Sequence, residues 1–87
     1  MNIITLDVSE LEPPLPMQNI MKAVVTLTDS ELIWATHRRK PNPLFDMLDQ
    51  QNICWQHQQV NEQEHHIFIW LKTNTHAQDL VNSKIAG

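Results

Sequence analysis

Two proline-rich segments constrain the fold of this chain more than any other sequence feature. Each one follows a β-prone run and precedes an amphipathic run, and they span residues 13–16 and 41–43. Proline disrupts helix interiors but is accepted at the first helical position, where its missing N–H has no partner to lose. Residues before proline are pushed toward extended conformations. The sequence therefore predicts, twice, a strand, an extended turn and a helix.

The first of these units begins with a strand over residues 2–8, and its helix opens at Pro14 or Pro16. Apolar residues then recur at intervals of three and four, which places them on a single helical face. This face consists of Met17, Ile20, Met21, Val24 and Val25. The spacing predicts an amphipathic helix that packs on a sheet.

The second unit has a strand over residues 31–37 and a helix with Asn42 as its cap and Pro43 at its first position. Its apolar face consists of Leu44, Phe45 and Leu48. Asn52 is expected to end this helix in a left-handed conformation. The only glycine is Gly87, so the glycine-dependent phosphate loops of nucleotide-binding proteins are excluded.

Two further strands, over residues 53–60 and 65–72, are expected to form a hairpin. A loop with an odd number of residues puts Ile53 and Trp55 on the same face as the aliphatic residues of the last strand. A four-residue loop would put glutamines there instead. Because a shift of one residue moves a whole strand to the other face, the register that gathers the aliphatic residues is predicted.

The order βαβαββ predicts an α+β two-layer sandwich, with a four-stranded mixed sheet and two helices on one face. Residues 1–72 form this domain, and residues 73–87 are a tail or a short helix. Thr75 followed by Gln78 is a capping-box pattern that favours the helix.

The other sheet face carries Phe68 and Trp70, which the predicted register places opposite the aliphatic residues. An open apolar patch of this kind marks an interface with a second copy or with another protein. The alternative is that a C-terminal helix covers both aromatic side chains.

Composition excludes several classes of protein. The net charge of −4 argues against a nucleic-acid-binding module. The longest apolar run has five residues, Ile67 to Leu71, against the roughly 20 that span a bilayer, so no membrane partner is expected. The first residues lack the features of a secretory signal, which predicts a cytoplasmic location. The single cysteine, Cys54, excludes an internal disulfide and is expected to pack as a small apolar residue.

The first proline motif resembles the opening of the TusA/SirA-like sulfur carriers, which have Leu-Asp, a spacer, and Cys-Pro-x-Pro at a helix N-terminus. Here Leu6-Asp7 and Leu11 precede Pro13-Pro14-Leu15-Pro16, and Pro13 stands at the position of the carrier cysteine. Persulfide transfer needs a thiolate, so the resemblance implies this fold without the sulfur-carrier chemistry.

The chain resembles more fully an uncharacterised bacterial family of unknown function in the same fold group, in which Glu-Pro-Pro-x-Pro replaces the cysteine motif. A second motif of that family, His-x-Arg-x-Pro-x-Pro-Leu-aromatic, corresponds here to His37, Arg39, Pro41, Pro43, Leu44 and Phe45. The resemblance covers about residues 3–72. It implies the βαβαββ fold and no established activity.

The turns that follow the first two strands are the candidate site. A crossover helix makes these strands parallel, so both turns are expected at one end of the sheet, where open α/β sheets bind ligands. The candidate residues are Glu10, Glu12, Pro13, Pro14 and Pro16 in the first turn and His37, Arg38 and Arg39 in the second. Arg38, Arg39 and the N-terminus of the second helix would hold an anionic ligand or an acidic partner surface. The alternative is that salt bridges between the two turns neutralise these charges.

No metal, cofactor or catalytic group is predicted. His57 and His65 can share a sheet face, but the spacing supplies no third ligand of the kind zinc needs. Glu10 and Glu12 lack a nearby nucleophile or histidine. The sequence favours a small interaction module that docks on a partner protein, with a homodimer as one form of that docking. The alternative is a binding protein for a small anion, or a minor enzyme, that uses His37 and Arg39.

Overall fold

The structure, a computed structural model, describes residues 1–86. Its elements follow the predicted order, with a third helix at the end. They are β1 (Asn2–Asp7), α1 (Leu15–Val25), β2 (Glu31–His37), α2 (Asn42–Gln50), β3 (Cys54–Asn61), β4 (Glu64–Trp70) and α3 (Ala77–Ala86). The predicted α+β class and the βαβαββ order are therefore confirmed.

The strands form one mixed sheet in the order β1-β2-β4-β3. β1 and β2 are parallel, and β4 is antiparallel to both of its neighbours. Strands β1, β2 and β3 consequently run in the same direction, and their carboxyl ends lie at the same end of the sheet. We call this the loop end, and we call the end at which these strands begin the opposite end.

The main core lies between the sheet and the helices α1 and α2. Both helices pack on the same face, as predicted, because their apolar stripes meet the aliphatic residues of the central strands. Among the residues buried there are Ile20, Val24, Ile33, Ala35, Leu44, Leu48, Ile67 and Ile69.

The hairpin has the predicted register. Trp55 pairs with Ile69, so both side chains lie on the face covered by α1 and α2. The register shifts by one residue between Gln59 and Asn61, at a bulge. With a two-residue turn and no bulge, Trp55 would pair with Trp70, as in the register that was not predicted. The extra residue of the bulge shifts Trp55 to Ile69, which buries the aliphatic side chains.

The sheet face that does not contact α1 and α2 is not open, because α3 folds across it. Phe68 and Trp70 are only 1% and 6% exposed and pack with Leu32, Ala77 and Val81. Their expected role as surface interface residues is therefore wrong: both side chains belong to a second, smaller core. The sequence pattern placed them on the correct face, but the weak apolar pattern of α3 left its position open.

Two helix starts differ from the sequence expectation. Pro41 precedes α2 and Asn42 is its first residue, and the Asn42 side chain makes no capping bond, because the N–H groups of Leu44 and Phe45 already donate to the carbonyl of Pro41 at 3.0 and 3.3 Å. At α3 the predicted cap Thr75 is replaced by Asn74, whose Oδ1 accepts the N–H of His76 at 3.3 Å.

The end of α2 is as predicted. Asn52 has a φ of 57°, the only positive φ among the non-glycine residues described. Asparagine tolerates this left-handed conformation better than most residues, so it turns the chain into β3 without a glycine.

None of the helices within residues 1–86 is long and apolar enough to cross a membrane.

Candidate binding cleft between the two proline turns

The turns that follow β1 and β2 meet at the loop end, as predicted. Their parallel strands continue side by side, and the N–H of Val8 donates to the carbonyl of Thr36 at 2.9 Å. Farther out, Arg38 Nη2 lies 3.2 Å from Glu12 Oε1 and ties one turn to the other. The topology, through the parallel pairing of β1 and β2, therefore produces the juxtaposition of an acidic and a basic turn.

A cleft with a volume of about 250 Å³ lies between the two turns. We call it the proline cleft, because all five prolines of the chain line it. The complete lining is Pro13, Pro14, Pro16, Met17, His37, Arg39, Lys40, Pro41 and Pro43. Proline has a fixed φ and no N–H, so these walls are stiff and present mainly carbon.

The local sequence explains why the prolines converge here. Pro16 is buried in the first turn of α1, and Pro41 is buried directly before α2. Pro13, Pro14 and Pro43 are exposed at the mouth, and the Pro13–Pro14 peptide bond is cis. The same residues that open the two helices therefore also form the walls of the cleft.

The charges at the mouth are divided between paired and unpaired groups. Arg38, with 35% of its side chain exposed, is paired with Glu12, whose side chain is 75% exposed. Arg39 and Lys40 are exposed, line the cleft and form no salt bridge within residues 1–86. Glu10 is exposed in the first turn and is not part of the lining. The cleft therefore has an apolar interior and a cationic rim.

The N-terminus of α2 offers few donors to an anion, which corrects the sequence expectation. The N–H of Asn42 donates to Lys40, and the N–H of Leu44 donates to Pro41 at 3.0 Å. Pro43, between them, has no N–H. At α1, the N–H of Leu15 already donates to Glu12 at 2.9 Å. These backbone groups are therefore not free to bind an anion, and the side-chain cations are the main attraction for a negative group.

Three histidines lie beneath the cleft on the face covered by α1 and α2. His37 pairs across the strands with His65, which is buried. His57 Nε2 lies 2.8 Å from His65 Nδ1, so one ring donates and the other accepts. Burial lowers the pKa of His37, and the positive charges of His65, Arg38 and Arg39 lower it further. Burial also lowers the pKa of His57, with smaller effects from His65 and Lys40.

His37 connects this row to the cleft. It lines the cleft, and its Nδ1 accepts the backbone N–H of Arg39 at 2.9 Å. This bond requires an unprotonated Nδ1, and the lowered pKa of His37 keeps the ring neutral near pH 7. His37 therefore supports the turn that carries the rim cations.

The histidine row does not amount to a metal centre. Within residues 1–86, no three His, Cys, Asp or Glu side chains are grouped so that they could hold a metal ion. The His57–His65 bond already occupies one nitrogen of each ring.

Sequence reasoning found most of the cleft but not all of it. Pro13, Pro14, Pro16, His37 and Arg39 were expected at a site and do line the cleft. The lining residues outside that expectation are Met17, Lys40, Pro41 and Pro43. Their position beside the two proline motifs was the available signal. The neighbouring His65 could not be assigned, because that requires the β2–β4 pairing.

Two other cavities have larger volumes. One of about 440 Å³ lies at the opposite end and is lined in part by Asp49, Trp55, Lys72 and Gln78. Three of its lining side chains form hydrogen bonds: Trp55 Nε1 donates to Asp49 Oδ1 at 2.7 Å, and Gln78 donates to Gln56 at 2.9 Å. The other, of about 310 Å³, is a groove beside β1. Size alone therefore does not single out the site.

The fold and the cleft define a small α+β domain with a proline-lined recess at the carboxyl ends of its parallel strands. The chain belongs to the family described as "Uncharacterized conserved protein (DUF2249)", which matches residues 5–71. The matched range includes both proline turns and ends before α3. No curated protein and no solved structure matches the chain.

Proposed function

We propose that this chain is a small interaction module that docks on a partner protein through the proline cleft. One observation carries the proposal: every proline of the chain, from two turns 25 residues apart in sequence (Pro16 to Pro41), lines the same recess. Neither turn needs this convergence to begin its helix. Stiff apolar walls lower the conformational entropy lost on binding, which favours a preformed docking site.

Docking accounts for the lining better than catalysis does. The nine lining residues include no carboxylate, hydroxyl or thiol, and the only amine among them, that of Lys40, belongs to an exposed residue. The one titratable ring there, His37, already accepts the N–H of Arg39 through Nδ1. The volume of about 250 Å³ lies below the roughly 300–1,000 Å³ of small-molecule and cofactor pockets. It suits a single side chain of a partner.

We further propose that the domain shares its origin with the TusA/SirA-like sulfur carriers and acts in the bacterial cytoplasm. The position of Pro13, where those carriers have cysteine, supports docking without sulfur transfer. The one thiol, Cys54, lies at the start of β3, at the opposite end, where it lines the 440 Å³ cavity. A turn that descends from the carriers but lacks the thiol could still bind a partner protein, although it could not transfer sulfur.

The proposal is tested by site-specific photo-crosslinking in cells that express the chain naturally. A benzophenone amino acid replaces Lys40 at the cleft or, as a matched control, the exposed Lys22 in the last turn of α1. We expect a discrete protein adduct from position 40 and none from position 22. Adding Met17→Lys, which places a cation in the apolar recess, should abolish the adduct.

Equal adducts from positions 40 and 22 would contradict the proposal, as would an adduct that survives Met17→Lys. A chain that forms no adduct from position 40, while its thermal unfolding matches that of the unsubstituted chain, would also contradict it.

A further inference from the structure

We infer that the occupant of the proline cleft is an acidic peptide segment of the partner, with one large apolar side chain seated between the prolines. This inference rests on the proposed docking function and adds the chemistry of the partner. Two features of the cleft carry it: the carbon-lined interior and the unpaired cations at its mouth.

The rim attracts negative charge although the whole chain has a net charge of −4. Arg39 and Lys40 are exposed and unpaired within residues 1–86, whereas the carboxylate of Glu12 is already paired with Arg38. Glu10 and Asp7, the last residue of β1, are the other acidic residues beside the two turns, and neither lines the cleft. A segment with two or more carboxylates that enters the cleft would therefore meet the cations of its rim, and its binding would weaken with added salt.

The interior selects an apolar side chain rather than a second charge. The side chains of the prolines and Met17 supply no hydrogen-bond donor, Pro16 and Pro41 are buried, and the neutral ring of His37 offers one N–H, at Nε2. A charged group placed there would lose most of its hydration for at most that one hydrogen bond. A leucine or phenylalanine side chain would instead remove apolar surface from water.

A peptide fits these features better than a small anion. The N–H groups of Asn42 and Leu44 already donate within the chain, so an anion would depend mainly on the exposed side chains of Arg39 and Lys40. Exposed ion pairs contribute little by themselves. A peptide combines that attraction with apolar burial, and the two contacts strengthen each other because they lie on one segment.

The experiment is a binding array on the full chain. Fluorescent ten-residue peptides carry Phe, Leu, Trp or Ala at the centre, flanked by Asp, Asn or Lys, and affinities are measured by anisotropy. We expect the Asp-flanked Phe, Leu and Trp peptides to bind at least ~10-fold more tightly than the Asp-flanked Ala peptide. We expect the same margin over peptides with the same central residue and Asn or Lys flanks.

Matched charge reversals locate the contact. The double variant Arg39→Glu with Lys40→Glu should bind Asp-flanked peptides ~10-fold or more weakly and should gain affinity for Lys-flanked ones. Lys22→Glu, which adds the same kind of charge on α1 away from the cleft, should stay within about twofold of the unsubstituted chain.

Several results would overturn the inference. These are affinities that do not depend on the flanking charge, affinities that do not depend on the central side chain, and displacement of the best peptide by benzoate or inorganic phosphate at equal concentration. A crosslink at position 40 without any preference for acidic peptides would leave the docking function standing and refute only the chemistry of its partner. Absence of both would refute both.

Discussion

Each end of the sheet has a cavity, and the two cavities differ in how many of their lining side chains form hydrogen bonds or ion pairs. At the opposite end, the larger cavity is lined in part by polar groups that already bond, such as Trp55 with Asp49 at 2.7 Å. At the loop end, the smaller proline cleft has apolar walls and two exposed cations without ion-pair partners within residues 1–86. The opposite-end cavity also has an exposed cation, Lys72, but its walls are more polar and bonded to one another, whereas the walls of the proline cleft are apolar and lie beside two such cations.

This difference in wall chemistry, rather than in volume, is the reason we propose docking at the loop end. It also predicts a separation of effects. Substitutions at the opposite end should change the free energy of unfolding and leave docking intact, whereas substitutions at the cleft rim should do the reverse.

The largest effect is expected from Trp70→Ala, which empties a buried position beside the opposite-end cavity. Trp70 is 6% exposed and packs under α3, so its loss should lower the free energy of unfolding by about 3–5 kcal/mol. Urea denaturation measures this, and the more conservative Trp70→Phe should lose less and keep the peptide affinity of the unsubstituted chain. A loss of peptide affinity in folded Trp70→Phe would break the proposed separation.

A smaller effect is expected from pH, and it should arise at the loop end. The folded chain holds the pKa values of His37 and His57 below the ordinary value of about 6.5. Between the lowered and the ordinary pKa values, the unfolded chain binds protons that the folded chain does not, so acid favours unfolding. The free energy of unfolding should therefore fall as the pH drops below about 6.5 and be constant, for these groups, above it.

Matched histidine variants assign that pH dependence. The double variant His37→Gln with His57→Gln should flatten the decline in urea denaturation between about pH 7 and pH 5. His76→Gln, an exposed change beside the start of α3, should keep the full slope. If His76→Gln flattened the slope as much as the double variant, the histidine row would not be its origin.

At the opposite end, Asp49→Ala should remove the partner of the Trp55 indole N–H and cost about 0.5–1.5 kcal/mol. The value stays modest because Trp55 is half-buried and still stacks on Phe45, with ring centroids 4.0 Å apart. Asp46→Ala, an exposed position of the same helix, serves as the control and should change stability by less than about 0.5 kcal/mol. Equal losses from the two variants, or a change in peptide binding, would argue against a structural role for this cavity.

The smallest effect is expected from Glu12→Gln, which breaks the salt bridge between the two turns. Both partners are exposed to solvent, so the loss of unfolding free energy should be about 0–1 kcal/mol and should disappear in high salt. Glu10→Gln in the same turn is the control. A loss well above this range would mean that the ion pair, rather than the strand pairing, holds the turns together.

Local patterns in the sequence predicted the parts of the fold that local physics decides. Proline placement marked both helix starts to within a few residues, and the preference of Asn52 for a left-handed conformation marked the end of α2. Side-chain alternation fixed the hairpin register even though the bulge was not foreseen. The crossover rule brought the two turns together, which is why most of the cleft could be predicted.

The parts of the structure that depend on tertiary packing could not be predicted from local sequence patterns. Whether α3 covers Phe68 and Trp70 depends on weak apolar spacing in the last residues, for which a free tail was the alternative. The row of His37, His65 and His57 exists only because β4 lies between β2 and β3. The predicted Asn42 cap is absent because the carbonyl of Pro41 accepts the N–H groups of Leu44 and Phe45.

The most direct test of the docking site compares crosslinkers at the two cavities in one experiment. Lys40 lines the proline cleft and Lys72 lines the larger opposite-end cavity, and both are exposed, so the same benzophenone residue can replace either one. We predict a protein adduct from position 40 and background labelling from position 72. A stronger adduct from position 72 would show that the partner binds at the opposite end and would contradict the account.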